Sequence, residues 1–463
     1  ERTARVAVIG GGIAGHGCAY SLGLSERFNV TLFEEREDVG GNAKTFDWSD
    51  GVCTGLSVLA WPSEYFRNYN ALLHQLGVES TYVELPFFIK DSTGHTFFHG
   101  NDFKVRPRHK NDFRKWVILV GIVRTVNSFF AGTKEKSLYH VSILNPFNML
   151  SLRMMCRLCF ISSDFWDCVI VPLYMSSFLT IKLDEVPAVI LPTLDDLISV
   201  STTPKMQSWK GSSKDVFSRM ANTCKFESCC GQKVLACVRN DVTLKWSVIT
   251  DKREYMNFDK IVFATNSYHA MAAQSGLPFL ERCILSNIRY TDDDDDSFSI
   301  GIIHSDSSVL PKDCGDDLLH NYANYVEARS DGRGSKCYTN TFILSSWLPI
   351  LRGEDNDERR SLPRLVTYGT EPKLIEGKQG TVKNFRNHPK MCSVGLASAM
   401  AMRYIQGNRG VFYCGSCSTP GNGHDLSLCS GIAIAIAMGA SYPFPHDAAA
   451  ERDFKRLKTI MGL

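Results

Sequence analysis

The first fifteen residues limit what this chain can fold into more than any other stretch does. Val6-Ala-Val-Ile9 is a short apolar, mostly β-branched run, the pattern of a buried parallel strand, and Gly10-Gly-Gly12-Ile13-Ala14-Gly15 follows it at once. Gly10 allows a tight turn, Gly12 lets the backbone approach a pyrophosphate, and Gly15 lets the next helix pack closely on the strand. The spacing predicts a helix over 13–24, whose free N–H groups and positive dipole end face phosphate. A second strand is predicted over 28–33, with Glu34 at its end, where an acid can bind ribose hydroxyls. A glycine-rich turn alone would be weak evidence. Strand, glycines, helix, strand and acid in this order specify a dinucleotide site.

Composition narrows the remaining classes. With 463 residues, 44% hydrophobic and 22% charged, the chain has room for two globular domains. A net charge of +2 gives no electrostatic case for nucleic acid. The longest apolar stretches, 116–123 and 432–440, fall short of the roughly 20 residues that span a bilayer, so no transmembrane helix is expected. The chain opens at Glu1 without a signal-peptide pattern, which leaves an upstream segment open, and a cytoplasmic location is the expectation. The 16 cysteines are dispersed, several of them (Cys156, Cys159, Cys168) inside apolar runs, and read as buried free thiols. One glycosylation sequon, Asn29-Val-Thr31, falls in the predicted second strand and is expected to be poorly exposed.

Two further pieces look like parts of the same nucleotide-binding sheet. Residues 233–250 alternate and are β-branched, as in a hairpin or meander, and run into Phe258-Asp-Lys-Ile-Val-Phe-Ala-Thr265-Asn266. Near the C-terminus, Gly410-Val-Phe-Tyr-Cys-Gly415-Ser416 reads as a strand ending in glycine. Residues 421–440 follow, with an Ala-rich buried helix predicted to start near Ser427.

The segment Glu34-Glu35-Arg-Glu-Asp-Val-Gly40-Gly41-Asn42-Ala-Lys-Thr45 resembles the acid, spacer, Gly-Gly, polar, Thr segment of the flavin-containing amine oxidoreductase superfamily. Asp50-Gly-Val-Cys-Thr-Gly55, Tyr69-Asn-Ala-Leu-Leu-His-Gln-Leu-Gly77, His388-Pro389-Lys-Met, Ile405-Gln-Gly407 and Gly423-His424-Asp425 through Ser430-Gly431 narrow the likeness. They are similar to a branch of predicted NAD/FAD-binding proteins that includes the flavin domain fused to plant cyclopropane fatty acid synthases. That branch is in turn similar to flavin-dependent fatty acid isomerases. The resemblance implies FAD, with contacts at Gly10, Gly12, Ile13, Ala14, Gly15, Glu34, Glu35, Gly40, Gly41, Asn42, Thr45, Gly55, Leu56, Ser57, Val234, Thr265, Gly415, Ser416, Asp425 and Leu426. Val234 would hold adenine through its backbone. Ser416 stands where the superfamily usually has an acid for the ribityl hydroxyls, a departure that weakens this contact without removing it.

The implied architecture is α/β: a discontinuous, doubly wound, Rossmann-like three-layer FAD-binding domain from residues 1–95, 205–290 and 385–463. An inserted α+β substrate domain would come from 96–204 and 291–384. The implied function is that of an FAD-dependent oxidoreductase moving hydride from an apolar, lipid-class substrate to flavin N5. A redox-neutral isomerase of polyunsaturated fatty acids and a non-catalytic FAD-binding partner protein are the alternatives. No second GxGxxG follows a strand, so hydride is expected from the organic substrate rather than from NAD(P)H. An aromatic pair flanking the flavin would point to amines, and a long apolar channel to lipids.

No catalytic residue is assigned, and several features carry two readings. His424-Asp425 is either a proton-moving pair or a histidine bonded to the loop beside an aspartate that caps the helix. The apolar runs 149–158 and 160–179 line a tunnel or form a helical core. Trp116-Val-Ile-Leu-Val-Gly-Ile-Val, preceded by Arg106, Arg108, His109, Lys110, Arg114 and Lys115, is a helix for peripheral membrane contact or a solvated turn leading into a buried helix. Cys414-Gly-Ser-Cys417 has thiol–disulfide spacing, but its Gly-Ser is needed at the strand end. Cys156 and Cys159 have no second pair at zinc spacing, and the acids at 292–296 lack calcium-loop alternation, so no metal is expected. Nothing in the chain bears on oligomeric state.

Overall fold

The computed structural model of the protein describes all residues except 1–2, 92–93, 95, 99–106, 136–141, 143, 179, 181, 292–299, 314, 331–335, 353–361, 370–381 and 386. Arg106 and the acidic run 292–296 therefore lie outside the described residues.

Strand β1 (Ala4–Ile9), helix α1 (Ile13–Gly23) and strand β2 (Phe28–Phe33) form as the fingerprint predicts. They enter a five-stranded parallel sheet in the order Val411–Tyr413, Lys260–Phe263, β1, β2, Glu227–Cys229. Three separate stretches of chain thus supply one sheet. The strand period of two divides β1 between two cores. Val6 and Val8 face α1 and the Ala-rich helix His424–Ala437, while Ala7 and Ile9 face an antiparallel meander of Val234–Arg239, Trp246–Thr250 and Glu254–Phe258. Helices on one face and the meander on the other make the three layers.

A second, seven-stranded mixed sheet runs Val382–Phe385, Ile300–His304, Leu365–Gly369, Lys336–Ile343, Asn324–Ser330, Phe87–Lys90, Thr96–Phe98. Phe87–Lys90, which precedes the insert expected from residue 96, already pairs in it. The apolar run from Leu152 to Phe178 folds into helices whose buried residues, among them Met155, Phe165, Trp166, Leu173 and Tyr174, build the core beneath this sheet. Of that run, Ser176, Ser177 and Phe178 line an apolar cavity, while most of the rest is buried in the core.

Helix Lys110–Ala131 buries Trp116, Leu119, Val120 and Val123 along one face and exposes Val117, Ile118, Ile122 and Phe129 on the other. Among the described residues no helix is long and apolar enough to cross a membrane. All 15 described cysteines are free.

Two local expectations need correction. The Ala-rich helix starts at His424, not near Ser427, because Gly423 is extended (φ −67°, ψ 139°) and ends the preceding loop. Asn29 of the sequon is exposed although it pairs with Arg5 near the start of β2, while Thr31 is buried.

Small residues let α1 and helix His424–Ala437 touch backbone to backbone. A Cβ on Gly431 would lie 2.0 Å from the Ala14 carbonyl oxygen, and one on Gly17 2.8 Å from that of Leu428. Gly431→Ala must therefore push the helices apart, and we expect a loss of about 2–3 kcal/mol, seen as a lower denaturant midpoint at unchanged m value. An unchanged midpoint would contradict the packing.

Candidate functional site

The turn after β1 is built around Gly10, whose φ of +111° is open to glycine and strained for other residues. The N–H of Gly11 then donates to Glu34 Oε2 at 2.7 Å, and the N–H of Gly40 donates to the Gly11 carbonyl at 2.8 Å. These bonds bring the second glycine pair against the first: a Cβ on Gly41 (φ +59°) would lie 2.9 Å from Gly12 Cα. Gly12, at φ −77°, is in ordinary extended backbone, and a Cβ there would meet only Gly41 Cα, at 3.6 Å. Its lack of a side chain keeps cavity space open rather than relieving a clash.

That space is a cavity of about 540 Å³. Gly10, Gly12, Ile13, Ala14, Glu34, Glu35, Gly40, Gly41, Asn42, Val234, Thr265, Gly415 and Ser416 line it, drawn from all three stretches of the parallel sheet and its loops. The remaining predicted contacts lie elsewhere. Gly15 packs α1 onto the turn, where a Cβ would sit 1.9 Å from the Gly10 oxygen. Thr45 and Gly55 close a small hairpin, Thr45–Asp47 with Cys53–Gly55. Leu56, Ser57 and Leu426 line a second cavity, and the Ser57 hydroxyl donates to the Asn42 carbonyl.

Two acids do more structural work than the sequence suggests. Glu34 uses Oε2 on Gly11, and its Oε1 accepts from the Arg36 N–H at 3.1 Å. A carboxylate offers about four acceptor positions, so some capacity for a hydroxyl remains. Asp425 is fully buried and faces neither cavity: its Oδ1 accepts from the Tyr69 N–H at 2.6 Å, in the first turn of helix Arg67–Leu76. It caps the neighbouring helix rather than its own.

Arg36, His388 and Asn422 also line the 540 Å³ cavity but were not singled out as contacts from the sequence. Arg36 Nη2 donates to the Gly41 carbonyl at 3.1 Å, which ties the acid to the second glycine pair. A basic residue two positions after the acid was the available signal. His388 Nδ1 lies 3.3 Å from Asn42 Nδ2, a contact across 346 residues that no local pattern announces.

The second cavity, about 330 Å³, is walled largely by apolar side chains such as Leu59, Phe66, Leu85, Leu194, Met206 and Phe342. It meets the first at five shared residues: Asn42, Val58, His388, Asn422 and His424. None of the five is Phe, Tyr or Trp. Val58 holds φ +55°, a conformation that strains a β-branched residue by about 1–3 kcal/mol and is found where a site demands it. His424 stands edge-on to the Tyr69 ring, with centroids 4.8 Å apart, and burial pulls its imidazole down to about 3. It is a neutral hydrogen-bonding group at neutral pH, and burial makes it a poor proton acceptor.

Neither thiol of Cys414-Gly-Ser-Cys417 suits redox exchange. Burial pushes Cys417 up to about 12 and Cys414 well above the ordinary thiol range, so neither supplies a thiolate. Among the described residues no group of His, Cys, Asp and Glu could hold a metal ion.

His16 on α1 is also held neutral: burial takes it to about 4, while a bond to the Gly12 carbonyl works the other way. An unfolded imidazole titrates near 6.5, so below that pH the unfolded chain binds more protons than the folded one. The stability that both groups confer above about pH 6.5 is therefore lost as pH falls toward their folded values. His16→Gln and His424→Gln should each flatten the decline in denaturant midpoint between about pH 6.5 and 4.5. An unaltered slope in both would contradict their burial as neutral groups.

The NAD(P)-binding Rossmann-like domain family matches residues 8–76. No curated protein sequence matches the chain significantly. Among solved structures, putrescine oxidase bound to putrescine is similar at 13% identity and a TM-score of 0.65, covering 94% of this chain and 98% of that one. The conjugated-linoleic-acid (CLA)-producing fatty acid isomerase from P. acnes is similar at 14% identity and 0.65, covering 95% and 100%. Cyclohexylamine oxidase from Brevibacterium oxydans is similar at 12% identity and 0.64, covering 94% and 99%. Over nearly its whole length, then, the chain shares the fold of these two amine oxidases and this isomerase.

Proposed function

We propose that the chain binds FAD in the larger cavity and acts on an apolar organic substrate held in the smaller one. The observation that carries this reading is the wall the two cavities share, at Asn42, Val58, His388, Asn422 and His424. A dinucleotide laid along the glycines and a substrate in the apolar cavity would meet there. The fit to FAD rests on space and donors. Gly12 and Gly41 leave backbone where a pyrophosphate needs close approach, the free N–H groups of the α1 first turn favour its charge, and Val234 and Glu34 lie where adenosine would end.

When bound, the flavin supplies a two-electron acceptor for hydride. The chain's own residues supply the surroundings. Helix His424–Ala437 begins at Gly423 with no side-chain cap, so its N–H groups and positive dipole end favour negative charge at its first turn, where His424 lines both cavities. The apolar wall keeps water from the substrate. The largely apolar lining of the smaller cavity favours an apolar substrate over a simple amine.

Two measurements test this reading. Gly12→Ala should fold normally, because its Cβ meets little protein, yet bind FAD at least about tenfold more weakly, some 1.4 kcal/mol, in an equilibrium titration. Undiminished affinity would place the cofactor elsewhere. The FAD-loaded protein should also be mixed without oxygen with long-chain alcohols, amines and unsaturated fatty acids. Lasting loss of the yellow absorbance with an uncharged apolar substrate is the expected result. Transient loss with a shifted diene spectrum would assign a redox-neutral isomerase instead, and no response to any of them would contradict catalysis.

A further inference from the structure

We infer that the outer face of helix Lys110–Ala131, together with the end of helix Leu152–Leu158, is a docking surface for a bilayer containing anionic phospholipid. The inference goes beyond the proposed function and needs neither flavin nor turnover.

Helix Lys110–Ala131 is apolar on two sides. Trp116, Leu119, Val120 and Val123 face the core, while Val117, Ile118, Ile122 and Phe129 face water, Ile118 at 62% and Phe129 at 79% exposure. The spacing of four and seven residues from Ile118 to Ile122 and Phe129 sets them on one stripe, about 16 Å long. Between Val117 and Phe129 the single charged residue is Arg124, and its guanidinium turns aside to Asp196, with Nη1 to Oδ2 at 2.8 Å and Nη2 to Oδ1 at 2.9 Å. A face that met only water would carry charged and polar residues instead.

A strained aromatic residue stands beside this stripe. The N–H of Phe160 donates to the Arg157 carbonyl at 3.0 Å and that of Ile161 to the Cys156 carbonyl at 2.9 Å. Phe160 thus closes helix Leu152–Leu158 at φ +54°, in the left-handed position that glycine usually fills, and it is 82% exposed. Lys115 Nζ donates to the Phe160 carbonyl at 2.5 Å, from the side of its helix that Ile118 and Ile122 continue. The loop that carries Phe160 is therefore tied next to the two isoleucines. Met154 and Leu158, one turn apart on the helix it closes, are exposed as well.

Charge selects the occupant. Arg108, Lys110, Arg114, Lys115, Arg153 and Arg157 belong to these segments, against Asp112 and Asp164. Both acids are engaged: Asp112 accepts from the Ser162 N–H at 3.1 Å and its hydroxyl at 2.7 Å, and Asp164 meets Arg108 at 3.1 Å and His109 at 2.6 Å. Arg114 is exposed one turn before Val117 and Ile118. An anionic bilayer complements both features at once, acyl chains taking the isoleucines and phenyl rings and phosphates taking the cations. The inner side of the helix is buried in the protein, so the face lies on the bilayer rather than through it. Helix Leu191–Leu197 packs beneath it through Asp195 and Asp196, and Thr193, Leu194 and Leu197 of that helix line the apolar cavity. A docked bilayer would lie one helix away from the chamber.

The test is flotation of the protein with phosphatidylcholine vesicles, with and without about 30% phosphatidylglycerol. The protein should bind the anionic vesicles at least about tenfold more tightly than the neutral ones, and added salt should weaken that binding. Ile118→Ser combined with Ile122→Ser should weaken it at least about tenfold, with an unchanged melting curve because both side chains already face water. Phe160→Gly should also weaken it while melting no lower than the parent, since glycine relieves the left-handed backbone. Failure to float with anionic vesicles, equal binding to neutral ones, or undiminished binding by both variants would overturn the inference. So would a dimer that the two serines dissociate in a protein that ignores vesicles, which would assign the face to a second copy of the chain. Flotation needs no cofactor, so its result stands whether or not FAD binds.

Discussion

The contact between Gly431 and the backbone of Ala14 is the constraint on which the rest of the molecule depends. A side chain at 431 would fall 2.0 Å from the Ala14 oxygen, so only a bare backbone at 431 lets helix His424–Ala437 lie against α1. That approach brings a segment more than 400 residues away in sequence to the glycine turn after β1. It puts Gly415 and Ser416 on the wall of the larger cavity and His424 where the two cavities meet. Asp425 secures the arrangement by capping helix Arg67–Leu76 through the Tyr69 N–H.

Local patterns made the nucleotide half legible. β1, α1, β2 and the glycine spacing depend on neighbours within about thirty residues, and the meander over 234–258 announces itself by alternation. Where a residue's partner lies far along the chain, the sequence was less informative. His424-Asp425 looks like a polar loop because the acceptor role of Asp425 is spent on a helix some 350 positions away. Glu34 reads as a ribose ligand, and its bonds to Gly11 and Arg36 appear only once the turn is folded. The wall of the apolar cavity was hardest to foresee. The Met- and Phe-rich run that suggested a tunnel is mostly core, whereas the lining comes from scattered residues such as Leu59, Leu194, Phe342 and Leu426, each unremarkable in its own stretch.

The two cavities differ in what their walls offer. The larger one is lined by glycines, backbone donors and a few tethered acids, features that read the phosphates and sugars of a nucleotide and little else. The smaller one is a chamber walled largely by apolar side chains. Under the proposed function, substrate choice falls to the chamber. Strain at Val58 sits on the wall between them, where a shifted backbone would alter both.

The shared wall makes a spectroscopic demand. FAD titrated into the protein should bind at one per chain. Adding a long-chain alcohol to the loaded protein should then perturb the visible flavin spectrum saturably. A flavin spectrum that stays unchanged while the probe saturates its site would separate the two cavities and contradict the account.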